Sequence, residues 1–172
     1  MPRFTVTERR VHMTTGLLVA VLFATGAALY IEPIALVVGR RSLVELIHVI
    51  AGLALGLPML VGLVLSPELR ADVRALDRMT RADREWLTRR DRRSAGLDTG
   101  KFNSGQKLAA AVMAGAGLVL LGTGLLLIAP LRINLPDGIR EGATVVHDLV
   151  TFGLLILLLG HLFMASRHSV AD

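Results

Sequence analysis

Cysteine is absent from the 172 residues. That excludes disulfides, thiolate chemistry, cysteine-ligated iron–sulfur clusters and covalently attached haem c from the chain itself. Alternating polar and apolar runs bounded by turn signals are also missing, so nothing reads as a β-strand. No sequence repeat is apparent. Acidic residues number 14 against 19 Lys and Arg, and few of them fall inside apolar segments. What dominates instead is apolar content, at 53%, with a mean hydropathy of +0.60. That balance is too apolar for an ordinary soluble domain.

Four runs are long enough to cross a bilayer, which takes about 20 apolar residues. They are roughly 11–30, 43–65, 108–131 and 143–165. A backbone in lipid must satisfy its own hydrogen bonds, and helices do this within one segment. The expectation is an all-α integral membrane four-helix bundle forming a single domain over 1–172. The first run follows Arg9 and Arg10 in the manner of a signal peptide. It is read as a retained span because it carries His12. Pro33, Ser66–Pro67 and Pro130 mark span ends, and Pro58 is expected to kink span two.

The net charge of +5 invites a nucleic-acid reading, but its distribution argues against one. Arg3, Arg9 and Arg10 precede span one, eleven Lys and Arg lie between Arg70 and Lys107, and Arg167 follows span four. The other two loops hold only Arg40, Arg41, Arg132 and Arg140. This asymmetry places both termini and the 66–107 loop on the cytoplasmic side of a bacterial inner membrane. The basic excess then contacts anionic lipid head groups. Within the loop, Leu69, Val73, Leu76 and Met79 recur at helical spacing, so an amphipathic helix is expected, with Trp86 and Leu87 as an anchor.

Four histidines sit in or at the ends of the spans: His12, His48, His147 and His161. Ionisable groups there are costly and are usually functional. On the topology above, His12 and His161 lie near the inner face and His48 and His147 near the outer face. Fourteen residues separate His147 from His161. At about 100° and 1.5 Å per residue they share one helix face, about 21 Å apart. Zinc would need three or four ligands per site. A porphyrin iron needs only two, so bis-histidine haem b at two depths fits the count. The residues four positions on are Gly16, Gly52, Thr151 and Ala165, small enough to admit a flat macrocycle. Two other uses stay open: histidines bonded only to neighbouring helices in a haem-free anchor, and a proton-coupled transporter using Glu45 and Asp148. Those carboxylates also suit the task of orienting an axial imidazole.

The stretches "RRVHMTTGLL", "LVELIHVIAGLALG", "DREWL", "GKFNSGQKLAAAV" and "VVHDLVTFGLLILLLGHLFMAS" resemble the γ subunit of membrane-bound formate dehydrogenases. This is a cytochrome b within the di-haem group that includes the [NiFe]-hydrogenase cytochrome b. The resemblance implies two haem b groups, with His48 and His147 ligating the outer iron and His12 and His161 the inner one. It implies an iron–sulfur subunit and a molybdenum or tungsten catalytic subunit as partners. Electrons would enter at the outer haem and reduce a quinone, menaquinone or ubiquinone, near the cytoplasmic face. The quinone pocket would lie at Asn103, Gly105 and Gln106, where the two amides offer donors to carbonyl oxygens. The same turn can instead cap span three, with Asn103 and Ser104 bonding exposed amide N–H groups. A cytochrome b serving hydrogenase or another respiratory oxidoreductase is the alternative within the class. In neither case does this chain oxidise formate alone.

Overall fold

The structure is a computed structural model describing residues 4–91, 96–128 and 135–169. Its helices are α1 (Val6–Tyr30), α2 (Glu32–Val38), α3 (Arg41–Ala54), α4 (Leu57–Leu65), α5 (Pro67–Asp77), α6 (Arg81–Thr88), α7 (Ser104–Leu127) and α8 (Asp137–Ser169). No strand occurs among the described residues. Four segments are long and apolar enough to cross a membrane: Val6–Tyr30, Arg41–Leu65, Ser104–Leu127 and Asp137–Ser166. The all-helical, four-span expectation therefore holds. Pro130, expected to close span three, lies outside the described residues.

Helix starts follow from side-chain caps more than from hydropathy. α1 begins at Val6, ahead of the apolar run, because Thr5 and Glu8 form a reciprocal capping box. α7 begins at Ser104 because Asn103 and Gln106 form another. Each box satisfies two backbone donors that a helix start otherwise leaves exposed. The single amphipathic helix expected after span two is in fact two helices, α5 and α6. Thr80 and Asp83 form a third capping box at residues 80–83, which restarts the chain and leaves Met79 in the break.

The chain divides into two compact units, Met1–Asp72 and Val73–Asp172. In the first, α1 packs against α2, α3 and α4. Span two is broken at Leu55–Gly56, between α3 and α4, with Pro58 in the first turn of α4. Proline has no N–H to return to the preceding turn and its ring crowds that carbonyl, so the regular hydrogen bonding lapses over Leu55–Gly56 while both residues keep right-handed helical dihedrals. Arginines close two helix ends. Arg41 donates to the Leu29 carbonyl at 3.1 Å, near the end of α1. Arg70 donates to Leu63 at 2.6 Å and Val64 at 3.2 Å, at the end of α4. Cationic donors suit a helix C-terminus, where carbonyls are left over. In the second unit, α7 and α8 form an antiparallel hairpin and α6 lies against the start of α7. α8 has 33 residues, about 50 Å at 1.5 Å per residue.

Close approach in the first unit depends on Gly62, which is buried between α1 and α5. A Cβ there would lie 2.6 Å from Val11 Cγ2 and 2.7 Å from Leu69 Cδ2. Valine at position 11 is stiff about χ1, so it yields poorly. Gly62→Val is expected to destabilise the purified protein by about 1–3 kcal/mol, the range for overpacking. Thermal unfolding in detergent checks this, and an unchanged midpoint would contradict the tight junction.

Candidate functional site

In the first unit α1 carries His12 and Thr25, and α3 carries His48. Thr25 sits mid-helix and turns its hydroxyl back on its own backbone. Oγ1 lies 2.7 Å from the Val21 carbonyl and 3.2 Å from the Leu22 carbonyl. The same oxygen lies 2.8 Å from His48 Nδ1. A hydroxyl has one proton, and carbonyl oxygens can only accept. With that proton directed to the α1 backbone, the hydroxyl accepts from Nδ1–H of His48. Nε2 is then the unprotonated nitrogen of the ring.

The second unit repeats the arrangement. Thr123 Oγ1 lies 2.8 Å from the Val119 carbonyl, 3.2 Å from the Leu120 carbonyl and 2.9 Å from His147 Nδ1. In both units a glycine follows the threonine and lies against the imidazole. A Cβ on Gly26 would stand 3.5 Å from His48 Cε1, and one on Gly124 would stand 3.6 Å from His147 Cε1. Thr25–Gly26 and Thr123–Gly124 are thus a two-residue repeat, each matched to a histidine in the next spanning segment. The sequence offered that signal as a Thr-Gly pair 23 or 24 positions ahead of a histidine, and it is too short to stand out unaided. Neither threonine was expected at the site. The contact anticipated from Glu45 or Asp148 at the orienting nitrogen is supplied by threonine.

Each unit also holds its second histidine at another level. His12 lies 13 residues before Thr25 on the same helix, about 20 Å along the axis. His161 lies 14 residues beyond His147 on α8, about 21 Å away. His12 and His161 are exposed, while His48 and His147 are half-buried. The donor set suits an axially ligated haem: four imidazoles, of which His48 and His147 have Nδ1 engaged by a threonine hydroxyl. The small residues divide. A side chain at Gly16 would meet nothing within 4 Å, whereas one at Gly52 would meet Leu22 Cδ2 at 3.8 Å. Gly52 therefore faces α1, with room for a methyl group.

The turn at 103–107 is built by two motifs together. The Asn103 carboxamide accepts from the Gln106 amide at 2.9 Å, and Gln106 accepts from the Asn103 amide at 3.0 Å. Ser104 does not cap; it donates to Asp83 at 2.8 Å. Lys107 Nζ also reaches Asp83, at 2.8 Å, and all three side chains are buried. Thr80 adds its amide and its hydroxyl to the same carboxylate, each at 2.8 Å. The indole of Trp86 covers Gly105, where a Cβ would stand 3.5 Å from Cη2. The "DREWL" and "GKFNSGQK" stretches are therefore two halves of one junction. Asn103 and Gln106 remain exposed on it, and Gly105 is occupied by the indole.

Burial alone pushes the Asp83 carboxyl up. Hydrogen bonds from Lys107, Thr80 and Ser104 outweigh it and hold the group well below the usual carboxylate range. Such a group stabilises the fold at all pH values above its unfolded-state pKa, and the contribution is lost as pH falls through the folded-state value. Trp86 is the single tryptophan and reports on the junction. Its emission is expected to hold steady from about pH 7 to below about pH 4, where unperturbed carboxylates protonate, and to red-shift only at much lower pH. Asp83→Asn leaves the Lys107 charge buried without its partner, a loss of about 3–5 kcal/mol. It is expected to red-shift Trp86 already at neutral pH, and an unshifted spectrum would contradict the junction.

A family model described as prokaryotic cytochrome b561 matches residues 3–172. No curated protein matches the chain.

Proposed function

Since the chain belongs to the prokaryotic cytochrome b561 family, and so is a haem b membrane electron-transfer protein, we propose that it is the di-haem, quinone-reactive subunit of a formate dehydrogenase-like complex. It passes electrons from a partner dehydrogenase, through an iron–sulfur subunit, to a membrane quinone. The observation that supports this reading best is the repeated threonine–imidazole contact, because it prepares two histidines in the tautomer that an axial ligand requires. Haem b, when bound between two such imidazoles, supplies one-electron redox chemistry. His48 and His147 are assigned to an outer site and His12 and His161 to an inner one, on the depth of each residue in its span. The formate dehydrogenase branch rests on the resemblance of the KFNSGQK turn.

At that turn the carboxamide oxygens of Asn103 and Gln106 are engaged by backbone amides. Their NH2 groups are donors, suited to the carbonyl oxygens of a quinone head. Gly105 lies between them, against the Trp86 indole. With the termini and the 66–107 loop cytoplasmic, as the arginine distribution suggests, protons for the reduced quinone come from the cytoplasm. If electrons arrive from outside, each turnover charges the membrane, at about 2.3 kcal/mol per charge and 100 mV.

Two sets of variants test this. His48→Ala and His147→Ala are each expected to lose the same haem, and His12→Ala is expected to match His161→Ala in its reduced-minus-oxidised spectrum. Full haem content in all four would overturn the ligand assignment. Asn103→Asp keeps the capping oxygen and removes the NH2 donor. It is expected to slow quinone reduction by up to about tenfold, equivalent to about one hydrogen bond, with both haems in place. Undiminished turnover would restrict the turn to capping and to docking α6.

A further inference from the structure

We propose that Thr25 and Thr123 are positioning residues that fix the tautomer and ring plane of His48 and His147 and strengthen their Nε2 as iron ligands. The inference rests on the reading of these two histidines as axial ligands. A threonine within a helix often bonds its own i−4 carbonyl, and taken alone that bond slightly destabilises the helix. Here the bond has a consequence beyond α1 and α7. With the hydroxyl proton given to that carbonyl, the oxygen facing the neighbouring helix acts as an acceptor. An imidazole meeting it at 2.8–2.9 Å then donates its Nδ1–H. Beside the same ring Gly26 or Gly124 leaves the place of a side chain open; a Cβ there would stand 3.5–3.6 Å from Cε1. The hydrogen bond at Nδ1 opposes rotation of the imidazole. Because the two instances occur in separate units, on different helices, neither depends on the other.

The chemistry gives the role a direction. An imidazole that donates its Nδ1–H to an acceptor is a more basic ligand at Nε2. Greater basicity favours the more highly charged ferric iron and so lowers the reduction potential. Loss of an orienting partner typically weakens metal binding 10- to 100-fold. Where that loss falls mainly on the ferric state, each tenfold raises a one-electron potential by about 59 mV. A threonine that serves only helix packing would move stability and leave the potential where it is.

The test uses the full chain purified in detergent, carrying Thr25→Val, Thr123→Val, Thr25→Ser or Thr123→Ser, with His48→Ala and His147→Ala beside them. Haem content comes from the pyridine haemochrome, potentials from spectroelectrochemical titration, and ligand geometry from the low-temperature electron paramagnetic resonance of the ferric state. The valine variants are expected to raise one midpoint potential by the equivalent of about tenfold and to shift one low-spin signal, with serine restoring both. If a valine variant instead loses a haem, restoration by serine supports the role, and failure of serine to restore it overturns the role. Wild-type potentials and spectra in the valine variants, with a haem lost in His48→Ala, would sink the positioning role and leave the ligand reading intact. Retention of both haems in His48→Ala and His147→Ala would sink the ligand reading and the inference together.

Discussion

An imidazole inside an apolar span has two nitrogens and, when neutral, one proton to place between them. How that proton is held is the constraint common to the two helical hairpins. Burying the ring without a partner would leave a polar group unsatisfied, at a cost of a few kcal/mol. A lysine or carboxylate partner would bring a further charge into the span. A threonine hydroxyl avoids both, provided that its own proton is already engaged. The helical backbone supplies that engagement through the i−4 carbonyl. The glycine after each threonine leaves open space beside the ring, and Gly62 permits the tight packing of the first unit.

A second constraint governs the connection between spans two and three. Asp83 is fully buried and would be too costly there as a bare anion. Four donors from Thr80, Ser104 and Lys107 compensate it. The short helix α6 is thereby fixed to the first turn of α7, with Trp86 seated on Gly105. The exposed amides of Asn103 and Gln106 are presented from a rigid base, and the glycine between them is explained by the indole.

Much of the architecture was legible from composition. Spans of apolar residues set the four helices, and Pro58 marked the interruption in span two. The boundaries were less legible, because hydropathy ignores caps: the Thr5/Glu8 and Asn103/Gln106 boxes start α1 and α7 ahead of the apolar runs. The Thr80/Asp83 box splits one expected amphipathic helix into two. Each box has a readable polar signature at i and i+3, so these differences were recoverable in principle. α2 was not anticipated; at seven residues it carries too little periodicity. The histidines were visible as ionisable residues in apolar surroundings. Their threonine partners were not, since a mid-span threonine usually satisfies itself within its own helix. Ser104 reads as a helix cap and Lys107 as part of the loop's basic charge until Asp83, some twenty positions earlier, is brought against them.

The central claim is that the four span histidines hold two haems. The most direct measurement is the haem-to-protein ratio of the purified full chain, by pyridine haemochrome, after expression with ample haem. The account predicts two haem b per chain, with a reduced-minus-oxidised spectrum containing two low-spin components. A chain that folds and inserts yet carries no haem would contradict it, and would return the histidines to helix packing or proton transfer.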